Sequence, residues 1–94
     1  TKVVAQEVGT LGITVNALCP GGLLTDIMQE QGPAAAEQLG LSFEDFLTMM
    51  QAPSAIKRMN TVEDCALVAV LLASEAGAGI TGSLISIDGG QSPY

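Results

Sequence analysis

The chain has 94 residues, of which 48% are apolar and 14% charged, and its formal net charge is −7. This composition suits one small domain with a core and excludes a disordered tail. Three basic residues against ten acidic ones would repel the phosphates of nucleic acid and of an anionic membrane surface, so neither partner is expected.

The cysteines indicate the cellular compartment, and the longest apolar run indicates whether the chain could span a membrane. Cys19 and Cys65 lie far apart in apolar settings, which predicts two reduced core thiols and favours a cytoplasmic protein. The run from 65 to 73 is under half of the roughly 20 residues that a membrane helix needs, so no membrane span is predicted.

The first residues read as the end of a longer helix. Thr1 to Val8 has its valines on one helical stripe, and Gly9 and Gly12 supply stop signals. Since no initiator Met, charged leader or cleavage site precedes this helix, we expect the chain to begin inside a longer polypeptide.

A short β-prone run follows at Ile13 to Leu18, and its near-continuous apolarity favours a strand covered on both faces. We expect Cys19-Pro20-Gly21-Gly22 to end it, because proline lacks a backbone donor and glycine tolerates unusual dihedral angles.

The middle of the chain carries one weak and one clear helical pattern. A turn of helix is expected near Thr25, with a loop at Gly32-Pro33. Ser42 then opens an amphipathic helix, which Pro53 ends. Its apolar face consists of Phe43, Phe46, Leu47 and Met50.

The strongest predicted helix, Val62 to Ala73, opens with Thr61 and Asp64 at capping-box spacing. Between Cys65 and Ala73 it is apolar all round, so it must be covered on more than one side. Gly77, Gly79 and Gly82 then lead to a second strand, 84 to 87, which Asp88-Gly89-Gly90 stops.

The element order of helix, strand, helices and strand predicts an α/β fold with a parallel sheet. Two strands cannot stabilise such a sheet, because ordering this backbone costs on the order of 100 kcal/mol. The remaining strands are therefore expected in the same polypeptide, upstream of Thr1.

The stretch from Cys19 to Thr25 is the best candidate for a binding site. Ligands of open α/β sheets bind beyond the carboxyl ends of the strands, where this stretch must lie. Gly21 and Gly22 would let a ligand approach the backbone, and Thr25 would cap a helix whose dipole favours an anion such as a pyrophosphate. The alternative, a plain strand-to-helix turn, stays open on spacing alone.

Several motifs together resemble the short-chain dehydrogenase/reductase family. Gly12-Ile13-Thr14-Val15-Asn16-Ala17, then Pro20-Gly21, then Thr25, is similar to the family segment G-I-x-V-N-x-x-x-P-G-x-x-x-T in order and spacing. Later matches are Arg58, Thr61-Val62-Glu63-Asp64, Leu71-Leu72-Ala73-Ser74, Ile80-Thr81-Gly82 and Asp88-Gly89-Gly90.

The resemblance implies that residues 1–94 are the C-terminal part of a single NAD(P)-binding, doubly wound Rossmann-type domain, holding its last two strands. It also implies an oxidoreductase that transfers a hydride between NAD or NADP and a small-molecule carbonyl or secondary alcohol. Pro20, Gly21 and Leu23 would line the nicotinamide, with the Leu23 backbone pairing its carboxamide. Thr25 would bond the carboxamide or the nearby phosphate, and Gly22 lacks the larger side chain often found there.

The resemblance places the catalytic Tyr-x-x-x-Lys pair and serine upstream of Thr1. The only tyrosine is Tyr94, and Lys2 falls after the family's lysine, so we expect Lys2 to be a surface residue. With no histidine and no clustered metal ligands, we assign neither a catalytic residue nor a metal site to this chain. A non-catalytic cofactor-binding or assembly relative is the alternative function.

Two further expectations follow from the resemblance. Residues 27–53 occupy the place of the family's substrate lid, with plain packing as the alternative. The helix from Val62 to Ala73 and the last strand occupy the place of a subunit interface in homo-oligomers, dimers or tetramers. The alternative is that missing parts of the same subunit cover them.

The stretch Gly77-Ala-Gly79-Ile-Thr-Gly82 spells a G-x-G-x-x-G dinucleotide fingerprint. That fingerprint needs a strand before it and a helix after it, whereas this one follows a helix and enters a strand. We therefore interpret it as a connector.

Overall fold

The computed structural model describes residues 1–93, and Tyr94 lies outside the described residues. Two single 3-10 turns, Gly9–Leu11 and Glu75–Gly77, accompany the regular elements. In chain order these are α1 (Lys2–Val8), β1 (Ala17–Pro20), α2 (Asp26–Gln38), α3 (Phe43–Gln51), α4 (Val62–Ala73) and β2 (Leu84–Ile87).

The two strands pair in parallel, with Ala17 opposite Leu84 and Pro20 opposite Ile87. This confirms the predicted parallel α/β arrangement and puts the carboxyl ends of both strands side by side. The first strand starts at Ala17 rather than Ile13 and runs on through Pro20, so its predicted bounds were wrong. Proline is tolerated there because, in the two-stranded sheet of the described residues, β1 is an edge strand.

Just before β1, side chains add to the backbone hydrogen bonds between the two segments, which include the Gly82 N–H to the Val15 carbonyl at 2.7 Å. The Asn16 amide donates to the Ile80 carbonyl at 2.9 Å and accepts from the Ser83 N–H at 3.1 Å, while Thr81 Oγ1 accepts from the Val15 N–H at 3.0 Å. The glycine-rich stretch 77–82 thus follows α4 and leads into β2, which confirms its interpretation as a connector.

The second helix corrects one prediction, because α2 passes through Gly32-Pro33 without a loop. Packing against α3 explains this. A Cβ placed on Gly32 would lie 2.5 Å from Phe43 Cε2, so only glycine allows the Phe43 ring this close to the backbone. Gly32 and Ala36 are buried, and this tertiary contact compensates for the hydrogen bond that Pro33 cannot make.

The predicted caps are present. Ser42 Oγ accepts from the Asp45 N–H at 3.1 Å and begins α3. Thr61 and Asp64 form a complete capping box at the start of α4, whose bounds agree with the prediction. These local signals involve residues three positions apart, which is why the sequence reveals them.

Few apolar side chains are covered. The buried apolar residues of the described chain are Ala5, Ala36 and Phe46, whereas Leu67 and Val70 of α4 are 72% and 65% exposed. Both cysteines are free, and Cys19 is exposed in the described chain. Its prediction as a core thiol was wrong for this chain.

Among residues 1–93, no helix combines the length and the hydropathy that crossing a bilayer requires.

Candidate functional site

The loop of residues 20–25 leaves β1 beside the turn that follows β2. The Gly21 N–H donates to the Ile87 carbonyl at 3.1 Å. A Cβ on Gly21 would lie 2.8 Å from Asp88 Cβ and 2.9 Å from Asp88 Cα, closer than side chains tolerate. Gly21 therefore keeps the two strand ends in backbone contact.

The turn after β2 is held by hydrogen bonds to the Asp88 carboxylate. Gly89 and Gly90 have φ angles of 64° and 80°, a region that favours glycine. The Asp88 carboxylate accepts from the Gly90 N–H at 3.0 Å and from the Ser92 N–H at 2.9 Å. Hydrogen bonds from Ser92 first, and then from the backbone, hold the pKa of Asp88 below its ordinary value.

Residues 54–60, here named the clasp segment, contact both loops. At one end, Ser54 Oγ and the Ala55 N–H donate to the Gly89 carbonyl at 3.0 and 2.8 Å. At the other end, Asn60 pairs with the 20–25 loop. Ser54 and Asn60 are the buried polar residues of the described chain, and sequence analysis missed both because their partners lie far away in sequence.

Asn60 surrounds Leu23 with backbone hydrogen bonds. The Asn60 N–H donates to the Gly22 carbonyl at 3.1 Å, and the Asn60 carbonyl accepts from the Leu24 N–H at 3.0 Å. Leu23 faces Asn60 in a parallel bridge. Within residues 1–93 the Leu23 N–H donates to no protein acceptor, so this half-buried donor is free for a ligand oxygen.

Thr25 caps α2, as predicted. Its Oγ1 accepts from the Met28 N–H at 3.2 Å, and its hydroxyl proton stays free to donate. Thr25 also lies at a cleft of about 250 Å³ between α2 and α3, lined mainly by apolar side chains that include Met28 and Phe46. The loop therefore joins one backbone donor and one hydroxyl to an apolar cleft.

The loop carries little positive charge. Between Lys2 and Lys57 the sequence contains no lysine, arginine or histidine. The amino terminus of α2 provides only the partial charge of a helix dipole. Lys57 and Arg58 lie in the clasp segment beside the loop, and Arg58 pairs with Asp64 at 2.9 Å.

A larger cleft of about 440 Å³ lies elsewhere, between α1 and the segment at Thr81 and Gly82. Lys2 is exposed there, and its Nζ donates to the Gly82 carbonyl at 2.9 Å. This confirms that Lys2 is a surface residue. We consider the smaller cleft the better candidate, because Thr25, in the loop after the carboxyl end of β1, lines it.

No cluster of three or more potential metal ligands occurs in the part of the chain that the structure describes. Of the four residues predicted for the site, Pro20 is the last residue of β1, and Gly21, Leu23 and Thr25 lie in the loop that follows it. Their contacts with a cofactor stay a prediction.

Known proteins give a consistent comparison. Residues 1–92 match the family described as enoyl-(acyl carrier protein) reductase. The chain is 41% identical over 91 residues to the D-beta-hydroxybutyrate dehydrogenase of Rhizobium meliloti (strain 1021). This alignment includes 96% of the chain but only 35% of the relative, so the chain spans about a third of that protein's length.

Solved structures agree. A short-chain dehydrogenase family protein from Francisella tularensis superposes with a TM-score of 0.92 at 29% identity, over 100% of this chain and 39% of that one. The L-sorbose reductase of Gluconobacter frateurii, solved with NADPH and L-sorbose, gives 0.88 at 29% identity, over 99% and 36%. These likenesses confirm the Rossmann-type α/β fold. The chain belongs to the short-chain dehydrogenase/reductase family.

Proposed function

We propose that residues 1–94 are the C-terminal part of a longer, single NAD(P)-binding domain. That domain would transfer a hydride between NAD or NADP and the carbonyl or secondary alcohol of a small molecule. The short span of the matches within their relatives, 35% and 39% of their lengths, supports a longer parent protein. The NADPH bound in the sorbose reductase structure supports the cofactor class.

The observation that carries the proposal is the free N–H of Leu23. It sits between two backbone hydrogen bonds to Asn60, at the carboxyl edge of the parallel pair. A buried or half-buried amide donor normally has an acceptor. A nicotinamide carboxamide oxygen would satisfy this one, at the edge where α/β sheets bind their ligands.

The proposed roles of the loop residues rest on the family resemblance, and the hydrogen bonds around Leu23 and Thr25 support them. Pro20 and Gly21 form a wall for the nicotinamide ring, and the Leu23 N–H orients its carboxamide. Thr25 donates its free hydroxyl proton to the same carboxamide or to the nearby phosphate. The bound nicotinamide supplies the hydride chemistry, while these residues fix its orientation and exclude water.

The acid–base groups of the reaction are proposed upstream of Thr1. A tyrosine would exchange the proton, a lysine would lower its pKa, and a serine would position the carbonyl. The described chain contributes binding and orientation to this scheme.

We assign residues 27–53 to a lid over the substrate. Helices α2 and α3 pack on each other through Gly32 and Phe43, and the apolar cleft between them opens at Thr25. A substrate bound beside the nicotinamide would therefore meet Met28 and Phe46. This lining favours substrates with an apolar portion.

We also propose that α4 and β2 form a homo-oligomer interface. Leu67 and Val70 of α4 and Leu84 of β2 are each at least 60% exposed, and covering them removes a large apolar area from water. A Leu67→Glu substitution in the full-length protein should dissociate the oligomer in size-exclusion chromatography with light scattering. An unchanged mass would mean that parts of the same subunit cover this face.

Free thiols at both cysteines support the cytoplasm as the proposed compartment.

The direct test is cofactor binding and turnover by the full-length protein. Titration with NADH and NADPH should give saturable binding of at least one of them. Oxidation of D-3-hydroxybutyrate or reduction of L-sorbose, the substrates of the similar proteins, is the first assay of a broader carbonyl panel. Binding without turnover of any carbonyl or alcohol would favour the non-catalytic relative, and absence of binding would contradict both.

A further inference from the structure

We propose that Asp64 is a positioning residue for the 20–25 loop. Its carboxylate fixes the C-terminal end of the clasp segment, and that end in turn fixes the backbone on both sides of Leu23. The effect on cofactor affinity rests on the proposed function, whereas the effect on the loop itself does not.

One carboxylate oxygen holds the segment. Asp64 Oδ2 accepts from the Thr61 N–H at 2.9 Å, from Arg58 Nη1 at 2.9 Å and from Asn60 Nδ2 at 3.4 Å. Arg58 Nη1 also donates to the Met59 carbonyl at 3.0 Å. Residues 58–61 are therefore all tied, directly or through Arg58, to a single atom at the start of α4.

The restraint passes to the loop through Asn60. This residue is 5% exposed, and its N–H and carbonyl bond to Gly22 and Leu24. A Cβ on Gly22 would lie 3.1 Å from Met59 Cε, so the loop also rests against Met59. Because both neighbours of Leu23 are bonded to Asn60, the direction of the Leu23 N–H depends on where Asn60 is held.

The hydrogen bonds of Asp64 distinguish the proposed positioning role from simple capping of α4. The capping box has two halves, in which Thr61 Oγ1 accepts from the Asp64 N–H at 3.1 Å and Asp64 accepts from the Thr61 N–H. Only the second half involves the carboxylate that holds Arg58 and Asn60. The Arg58 side chain is 53% exposed, so its ion pair with Asp64 contributes little by charge alone, and the hydrogen bonds carry the restraint.

Three variants of the full-length protein test the inference. Asp64→Ala removes every contact of the carboxylate. Asp64→Asn is the conservative variant, because its amide oxygen can still accept from the Thr61 N–H. Thr61→Ala is the matched control, since it removes the other half of the capping box and leaves the carboxylate contacts in place.

Two measurements apply to each variant: amide hydrogen exchange of the peptide 20–28 without cofactor, and the Kd for NADH or NADPH. We expect Asp64→Ala to speed exchange in this peptide and to raise Kd roughly threefold to tenfold, the range for losing one hydrogen-bonded restraint. Asp64→Asn should give smaller changes. Thr61→Ala should speed exchange only in the first turn of α4.

The inference fails if Asp64→Ala leaves exchange of the 20–28 peptide unchanged, or if Thr61→Ala speeds it equally, because Asp64 would then act only as a helix cap. Faster exchange in Asp64→Ala with unchanged Kd upholds the positioning role and counts against the cofactor role of the loop. If Asp64→Ala both speeds exchange of the 20–28 peptide and raises Kd, while Thr61→Ala leaves exchange of this peptide unchanged, the positioning role of Asp64 and the cofactor role of the loop are both supported.

Discussion

At the scale of single residues, the site depends on donors and acceptors that are fixed before any ligand arrives. Thr25 uses its oxygen to cap α2 and keeps its proton. The Leu23 N–H is left free while its neighbours are bonded to Asn60. Such preorganised donors orient a ligand without a further ordering cost.

The Thr25→Ala variant separates the two functions of that hydroxyl. We expect the lost cap to lower the free energy of unfolding by about 1 kcal/mol. The lost cofactor bond should weaken binding by about as much again, roughly fivefold in Kd. Thr25→Ser, which keeps the hydroxyl, should restore most of both. Fluorescence titration measures Kd, and unchanged affinity in the alanine variant would remove Thr25 from the site.

The lowered pKa of Asp64 predicts that the free energy of unfolding depends on pH. Hydrogen bonding from the Thr61 backbone first, and then from Arg58, lowers the pKa of Asp64 from 3.8 to about 2. Because the folded pKa is depressed, the stabilisation is complete above the unfolded value near 4 and is lost as the pH falls from about 4 to about 2.

The measurement compares wild type with Asp64→Asn by denaturant unfolding across this range. The stability advantage of the wild type should be constant from neutral pH to about pH 5 and should shrink below about pH 4. An advantage that does not depend on pH would contradict the assignment.

At the scale of elements, features set by neighbouring residues could be predicted from the sequence, whereas features set by tertiary contacts could not. The caps at Ser42 and Thr61 and the second strand followed from neighbouring residues. The continuation of α2 through Gly32-Pro33 did not, because it depends on Phe43 from the next helix. The clasp segment was also missed, since Ser54 and Asn60 are polar residues whose burial depends on loops 35 or more positions away.

Two neighbouring substitutions in α2 should have opposite effects. Gly32→Ala places a methyl group 2.5 Å from Phe43 Cε2, and the overpacking, typically about 1–3 kcal/mol, exceeds the roughly 1 kcal/mol gained in helix propensity. Pro33→Ala restores a backbone donor at an exposed position and should stabilise α2 by about 1 kcal/mol or more.

Hydrogen exchange of α2 in the full-length protein reports both effects as local opening free energies. Gly79→Ala, where a Cβ meets nothing within 4 Å, is the control and should change little. Stabilisation by Gly32→Ala would mean that the Phe43 ring moves aside at low cost.

At the scale of the whole molecule, the described chain exposes more apolar surface than an independent domain. Its radius of gyration is 16.8 Å, against ~12 Å for a compact domain of this length. Its principal extents are 54 × 26 × 21 Å. In the described residues, two strands and three buried apolar side chains provide little core, which supports the proposed parent domain and the proposed subunit interface.

We therefore expect the isolated 94-residue chain to be poorly folded. Circular dichroism of this monomeric chain should show a broad, non-cooperative thermal transition, because burial is too small to offset the conformational entropy. A sharp cooperative melt at low protein concentration would contradict this expectation.

The central claim, that the 20–25 loop rather than the glycine stretch at 77–82 contacts the nicotinamide cofactor, has one direct test. Hydrogen–deuterium exchange of the full-length protein is measured with and without saturating NADH or NADPH. We predict that the cofactor protects the peptide spanning residues 20–28, which contains the free Leu23 N–H, and leaves residues 77–82 unchanged. Protection at 77–82, or saturable binding with no change at 20–28, would contradict the claim.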